Sequence, residues 1–94
     1  MAEELNEEQT VEDEQILRTH ELINSAYSGD LIELKEGFAK VNLLTNEEMR
    51  VDSLGLVHGG FIFCAADFAA MAAVNDPNVV LSGATTSFLS PVRV

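Results

Sequence analysis

The stretch HGGFIFCAADFAAM, residues 58–71, decides how the rest of this 94-residue chain is read. It is almost wholly apolar or small, holds no Lys or Arg, and places one carboxylate, Asp67, near its middle. Apolar and small side chains fall on every face at helical spacing, which predicts a helix enclosed by protein rather than one lying on a surface. The helix is expected over 58–74, because Asn75-Asp76-Pro77-Asn78 stops it. A single Asp in such a segment has two readings. It is either a buried acid satisfied by hydrogen bonds, or a functional group in a tuned environment. Gly59 and Gly60 favour the second reading, since they leave the helix-start N–H groups unobstructed. Developing negative charge is stabilised at that end, which is the physics of an oxyanion hole. His58, at the same end, is better accommodated neutral than charged and serves as a packed or orienting group.

The elements around this helix are shorter. Thr10 and Asp13 have the form of a capping box, and Ile16, His20, Ile23 and Tyr27 recur at helical spacing. A helix over about 11–28, ended at Gly29, follows from these signals. From Leu31 the period becomes two: residues 31–35 and 38–44 read as strands joined at Glu36-Gly37, a hairpin. Residues 50–57 read as an extended approach bent at Gly55, and Val79–Leu89 as a further strand ended by Pro91. The expected class is therefore α+β. Residues 1–9 are expected to be an acidic mobile tail, and 10–94 a single domain.

Composition excludes several functions. The net charge is −11, yet seven of the sixteen acids lie in the first fourteen residues, where there is no base. The remaining nine acids face five bases, a net of −4 for the domain itself. Neither part suits a polyphosphate backbone, which needs clustered Lys and Arg, so nucleic acid is not an expected partner. One cysteine, Cys64, precludes an intrachain disulfide and reads as a small core residue, since no base lies near it in sequence. The absence of a basic, then apolar, N-terminal signal and of a clean bilayer span predicts a cytoplasmic protein with no membrane span. No metal-ligand spacing is visible, and no cofactor is expected.

LGLVHGGFIFCAADFAAMAAVND, followed by ATTSFLSPVRV, resembles the signature of hotdog-fold acyl-CoA thioesterases of the phenylacetate-pathway (PaaI-like) type. The resemblance extends from about Leu31 to Val94, and in overall shape the chain also resembles a flagellum-coregulated hotdog protein. It implies a curved antiparallel sheet wrapped around the 58–74 helix. It also implies an acyl-CoA or acyl-carrier thioester as substrate, a homodimer or dimer of dimers, and hydrolysis at the dimer interface. By position, Gly60 with Gly59 would polarise the thioester carbonyl, beside His58. Asp67 would act as general base or nucleophile. Asp52 stands where the family often has Asn, a departure that removes an amide donor and adds charge. Ser82, Thr85 or Thr86 would supply a further polar group, and Arg93 a contact to CoA. The rival expectation is a regulatory hotdog protein that binds acyl-CoA without hydrolysing it. A dehydratase fits less well, because the His-plus-acid patterns of that group are not visible.

Spacing adds a constraint independent of family. Gly60 and Asp67 are seven residues apart, so they share a helix face but lie roughly 10 Å apart along the axis. One carbonyl carbon cannot sit about 3 Å from both. Two copies of the helix, antiparallel across a two-fold axis, would bring them together. The resemblance also leaves the sheet short of its last strands at Val94, so the domain reads as incomplete, with an apolar edge around Ser87-Phe88-Leu89.

Overall fold

The computed structural model describes residues 15–94 and shows an α+β chain. In order it has α1 (Ser25–Ser28), β1 (Asp30–Lys35), β2 (Phe38–Asn42), a 3₁₀ turn (Glu47–Met49) and α2 (Gly59–Val74). The strands form an antiparallel hairpin, closed by Glu36-Gly37 with Gly37 at φ 74°. A bulge between Leu31 and Glu33 shifts the alternation by one residue, leaving Ile32 exposed. Leu31 and Leu34, three apart, therefore both pack into the core. Strict alternation would have placed them on opposite faces.

α2 is the centre of the fold. It packs mainly on β2, with further contacts to α1 and β1. Phe68 and Ala72 meet Leu34 in the core, flanked by Leu17, Ile23, Leu31, Ala39 and Val41. Burying a side chain such as Phe68 contributes about 1.5–3 kcal/mol. Gly29 marks the tightest approach between elements. Its φ is 93°, and a Cβ there would lie 2.7 Å from Val41 Cγ1 and 2.9 Å from the Asn42 carbonyl oxygen. Only glycine suits both the conformation and the space.

The N-terminal helix is shorter than the 11–28 that the sequence spacing predicts. It is the single turn Ser25–Ser28, capped by Asn24, whose side chain accepts from the Ala26 N–H. Residues 15–24 are not helical, and 11–14, like the expected tail at 1–9, lie outside the described residues. Long-range partners override the local periodicity here. The Gln15 N–H donates to the Leu34 carbonyl at 3.1 Å, so the segment follows β1. His20 then adopts φ 54°, which no α-helix accommodates. Ile16 is 84% exposed and does not face the core.

Asn75 fastens that segment. It ends α2 in the left-handed region at φ 56°, ψ 39°, as the sequence stop signal predicts. Its side chain is buried and accepts from the Arg18 N–H at 2.7 Å while donating to the Ile16 carbonyl at 2.9 Å. One residue thus caps the helix and replaces the backbone partners that residues 15–18 would have had in a helix.

The strand expected over Val79–Leu89 is not formed. Among the described residues no strand pairs with it, and an extended segment without a partner has no ladder to stabilise it. Only the far end is held: the Val57 N–H donates to Val92 O, the Val94 N–H to Gly55 O, and Leu56 bridges Arg93.

Asn75→Ala is expected to cost about 2–4 kcal/mol, from two orphaned backbone groups and a left-handed Cβ. Asn75→Gly relieves the backbone but not the lost bonds, and should retain more than half of that loss. Denaturant unfolding of both variants measures this. A glycine variant as stable as wild type would contradict the fastening role.

Candidate functional site

The start of α2 opens onto a cleft of about 630 Å³. Its floor is His58, Gly59, Gly60 and Ile62, with Val51, Leu56 and Val57 on one side and Ser87–Val92 on the other. The lining is aliphatic and aromatic apart from His58, Ser87, Ser90 and the backbone, and it includes no Lys, Arg, Asp or Glu.

The loop before α2 builds one wall. The Val51 N–H donates to Leu56 O at 2.8 Å and the His58 N–H to Met49 O at 2.8 Å, folding 50–57 back on itself through Gly55 at φ 82°. Asp52 holds the tip: its Oδ1 accepts from the Leu54 and Leu56 N–H groups at 3.0 and 3.2 Å. A carboxylate serves that purpose without an amide donor, a physical reason for Asp at this position. Arg93 adds a clamp by donating to Leu54 O at 3.0 Å.

The floor needs its glycines for space. A Cβ on Gly60 would lie 2.7 Å from His58 Nε2, so the imidazole lies over the Gly60 backbone. The edge of Phe61 meets the same ring at 6.0 Å and 88°, and Tyr27 stacks obliquely on Phe61 at 5.9 Å. A row of rings thus runs from α1 to the cleft and fixes the direction of His58. His58 is the N-cap of α2 but makes no side-chain capping bond.

Of the residues singled out from the sequence, His58, Gly59 and Gly60 come together in the cleft. Asp67 does not join them; it lies two turns further along α2, as the spacing argument requires for a single chain. Its Oδ1 is buried without a hydrogen-bond partner. Asp52 and Arg93 are engaged in the wall, while Ser82, Thr85 and Thr86 are exposed and line no part of the cleft. Sequence reasoning missed Phe88 as a cleft residue, because its seat on Gly59 joins segments far apart in the chain. Among the described residues no group of three or more His, Cys, Asp or Glu side chains could hold a metal. No helix described is long and apolar enough to cross a membrane.

The Tyr27 phenol is displaced upward from its ordinary value. Its hydroxyl donates to Glu48 Oε1 at 3.1 Å, and the carboxylate raises the phenol above its ordinary value through that bond and by charge repulsion of the phenolate. A raised folded-state value stabilises the fold below the unfolded value, near about 10, and that contribution fades as pH rises through the folded value. Tyr27 is the sole tyrosine, so phenolate absorbance reads it alone. Glu48→Gln should bring its titration down toward the ordinary value. An unchanged titration would remove Glu48 as the cause.

No family model matches the chain. It is 58% identical over 78 residues to methylthioribose-1-phosphate isomerase of Aquifex aeolicus (strain VF5), covering 83% of this chain and 17% of that enzyme. Among solved structures, it resembles the uncharacterized protein PH1136 of Pyrococcus horikoshii with TM-score 0.85 and 52% identity, over 86% of this chain and 62% of that one. Cj0977 of Campylobacter jejuni, a sigma28-regulated virulence protein, gives 0.81 and 35%, over 83% and 60%. The HP0420-homologue of Helicobacter felis gives 0.79 and 32%, over 83% and 64%. The chain spans less than two thirds of each of these.

The expected function is corrected by these findings. An acyl-CoA hydrolase using Asp67, with an acyl-CoA sensor as its alternative, is not what the curated relative is named; that name is an isomerase. The resemblance carries the fold and does not extend to that activity. The chain has the α+β hotdog fold of thioesterase-like proteins, and a sigma28-regulated protein stands among its structural relatives.

Proposed function

We propose that this chain is a small-molecule-binding module whose ligand occupies the cleft at the start of α2. The ligand has an apolar body and a hydrogen-bond-accepting head. The carrying observation is the lining: Val51, Leu56, Val57, Ile62, Phe88, Leu89 and Val92 present apolar surface at a helix start bordered by His58 and two glycines. Apolar walls with a few convergent polar groups are the usual form of a small-molecule site. The Phe61 N–H donates to the His58 carbonyl at 3.1 Å, which leaves the Gly59 and Gly60 N–H groups at the start of α2 for a carbonyl or carboxylate head.

The isomerase relative bears on this reading through its proportions. The matched stretch is 17% of that enzyme, so most of the chain bearing the name lies outside it. A sugar phosphate also carries several hydroxyls that need partners, and this cleft offers two serines and one histidine as its polar side chains. A ligand-binding module that such an enzyme can carry fits both facts. The reading requires no resident cofactor.

The test is displacement of a fluorescent apolar dye, anilinonaphthalene sulfonate, by straight-chain alkanoates. Octanoate should displace it from wild type. Ile62→Arg, which puts a charged side chain on the cleft floor, should weaken octanoate at least about tenfold, or roughly 1.4 kcal/mol, at an unchanged unfolding midpoint. Equal octanoate affinity in the two proteins would overturn the assignment of the cleft. Preferential displacement by a sugar phosphate would move it toward the isomerase's own chemistry.

A further inference from the structure

Three consecutive residues of the 3₁₀ turn, Glu47, Glu48 and Met49, each reach a different part of the cleft, and none of them lines it. Met49 is the anchor. Its side chain is fully buried, and its carbonyl accepts from the His58 N–H at 2.8 Å, so the turn is fixed against the start of α2. Asn46 caps the turn by accepting from the Glu48 N–H at 2.9 Å. The two glutamates beside that anchor serve different sides of the cleft.

Glu47 acts on the wall. Its carboxylate accepts from Arg50 Nη1, while the same guanidinium donates from Nε to Asp52 O at 3.2 Å and from Nη2 to Ser53 O at 3.1 Å. With Arg93 on Leu54 O, three successive carbonyls at the tip of the 50–57 loop accept from two arginines. A planar guanidinium donates in fixed directions, so the ion pair with Glu47 sets where the other N–H groups of Arg50 point. Glu48 acts on the floor. It accepts from the Tyr27 hydroxyl at 3.1 Å, Tyr27 lies against Phe61 at 5.9 Å, and Phe61 meets the His58 ring edge-on at 6.0 Å. The His58 imidazole in turn lies over Gly60. Contacts this exposed add little to stability; the Glu47 side chain is 71% exposed and that of Arg50 34%. Their effect is on direction rather than on folding.

We infer that Glu47 and Glu48 are positioning residues for the cleft, Glu47 setting the 51–57 wall through Arg50 and Glu48 setting the His58 floor through Tyr27 and Phe61. The consequence for binding rests on the small-molecule reading above, whereas the positioning itself is read from the protein alone.

The experiment records the His58 ring signals and the Leu54 and Leu56 amide signals by NMR for Glu47→Ala, Glu48→Ala and Tyr27→Phe. Unfolding midpoints and dye displacement by octanoate are measured on the same variants. Glu48→Ala and Tyr27→Phe should shift the His58 ring signals alike and leave the Leu54 and Leu56 amides in place. Glu47→Ala should do the reverse. Each should weaken octanoate about three- to tenfold, the usual net worth of one hydrogen bond, at an unchanged midpoint. Glu47→Gln and Glu48→Gln keep an acceptor oxygen and should restore most of that affinity. His58 signals unmoved by Glu48→Ala, or loop amides unmoved by Glu47→Ala, would overturn the inference. So would a common shift of both sets with a lowered midpoint, which marks a merely structural role. Failure of wild type to bind octanoate overturns the small-molecule reading alone, and the NMR signals still decide the positioning.

Discussion

A helix without a polar face needs apolar cover, and the rest of this structure follows from where α2 obtains it. GGFIFCAADFAAMAAV has one ionisable carboxylate in sixteen residues, and neither a base nor a run of polar positions to turn toward water. β2 and β1 cover one side, centred on Phe68 and Ala72 against Leu34. α1 and the segment before it cover another, held in place by Asn75 at the helix end. At the glycine start the helix backbone itself becomes part of the floor of a cleft, and Ala66, Ala70 and Val74 form an uncovered stripe further along. The small side chains that allow close packing elsewhere leave the N–H groups accessible there. Site and core are two consequences of one composition.

The cleft depends on parts far apart in sequence. Residues 50–57 fold back through Asp52 and Gly55, and residues 92–94 pair against that fold. Arg93 ties the two together by donating to Leu54 O. Asp52 and Arg93 thereby shape the site without entering it. The rings of Tyr27, Phe61 and His58 brace it from the side of α1.

Local signals were legible in the sequence; long-range ones were not. The α2 start at His58, its stop at Asn75 and the Glu36-Gly37 turn rest on residue types that dictate nearby backbone geometry, and the structure has them at those positions. Ile16, His20, Ile23 and Tyr27 have helical spacing, yet Leu34 O and Asn75 capture the backbone around residues 15–18. No local pattern announces such partners. Val79–Leu89 has strand composition, but a strand requires a neighbour, which composition cannot supply. The glycines of the site could be read as an open helix start. That Phe88 rests on Gly59, and that the Asp52 carboxylate is spent on two backbone amides, emerges only from the fold.

Function was legible to a lesser degree, because a hotdog fold supports many chemistries and a site must be argued from its own lining. The central claim is that the cleft at the start of α2 receives the ligand. Amide chemical-shift mapping on titration with octanoate tests it most directly. The account predicts perturbations concentrated at 51–62 and 87–92, largest at the Gly59 and Gly60 N–H groups. Perturbations centred instead on the Arg18–Ile23 side of the molecule, with the start of α2 unmoved, would contradict it.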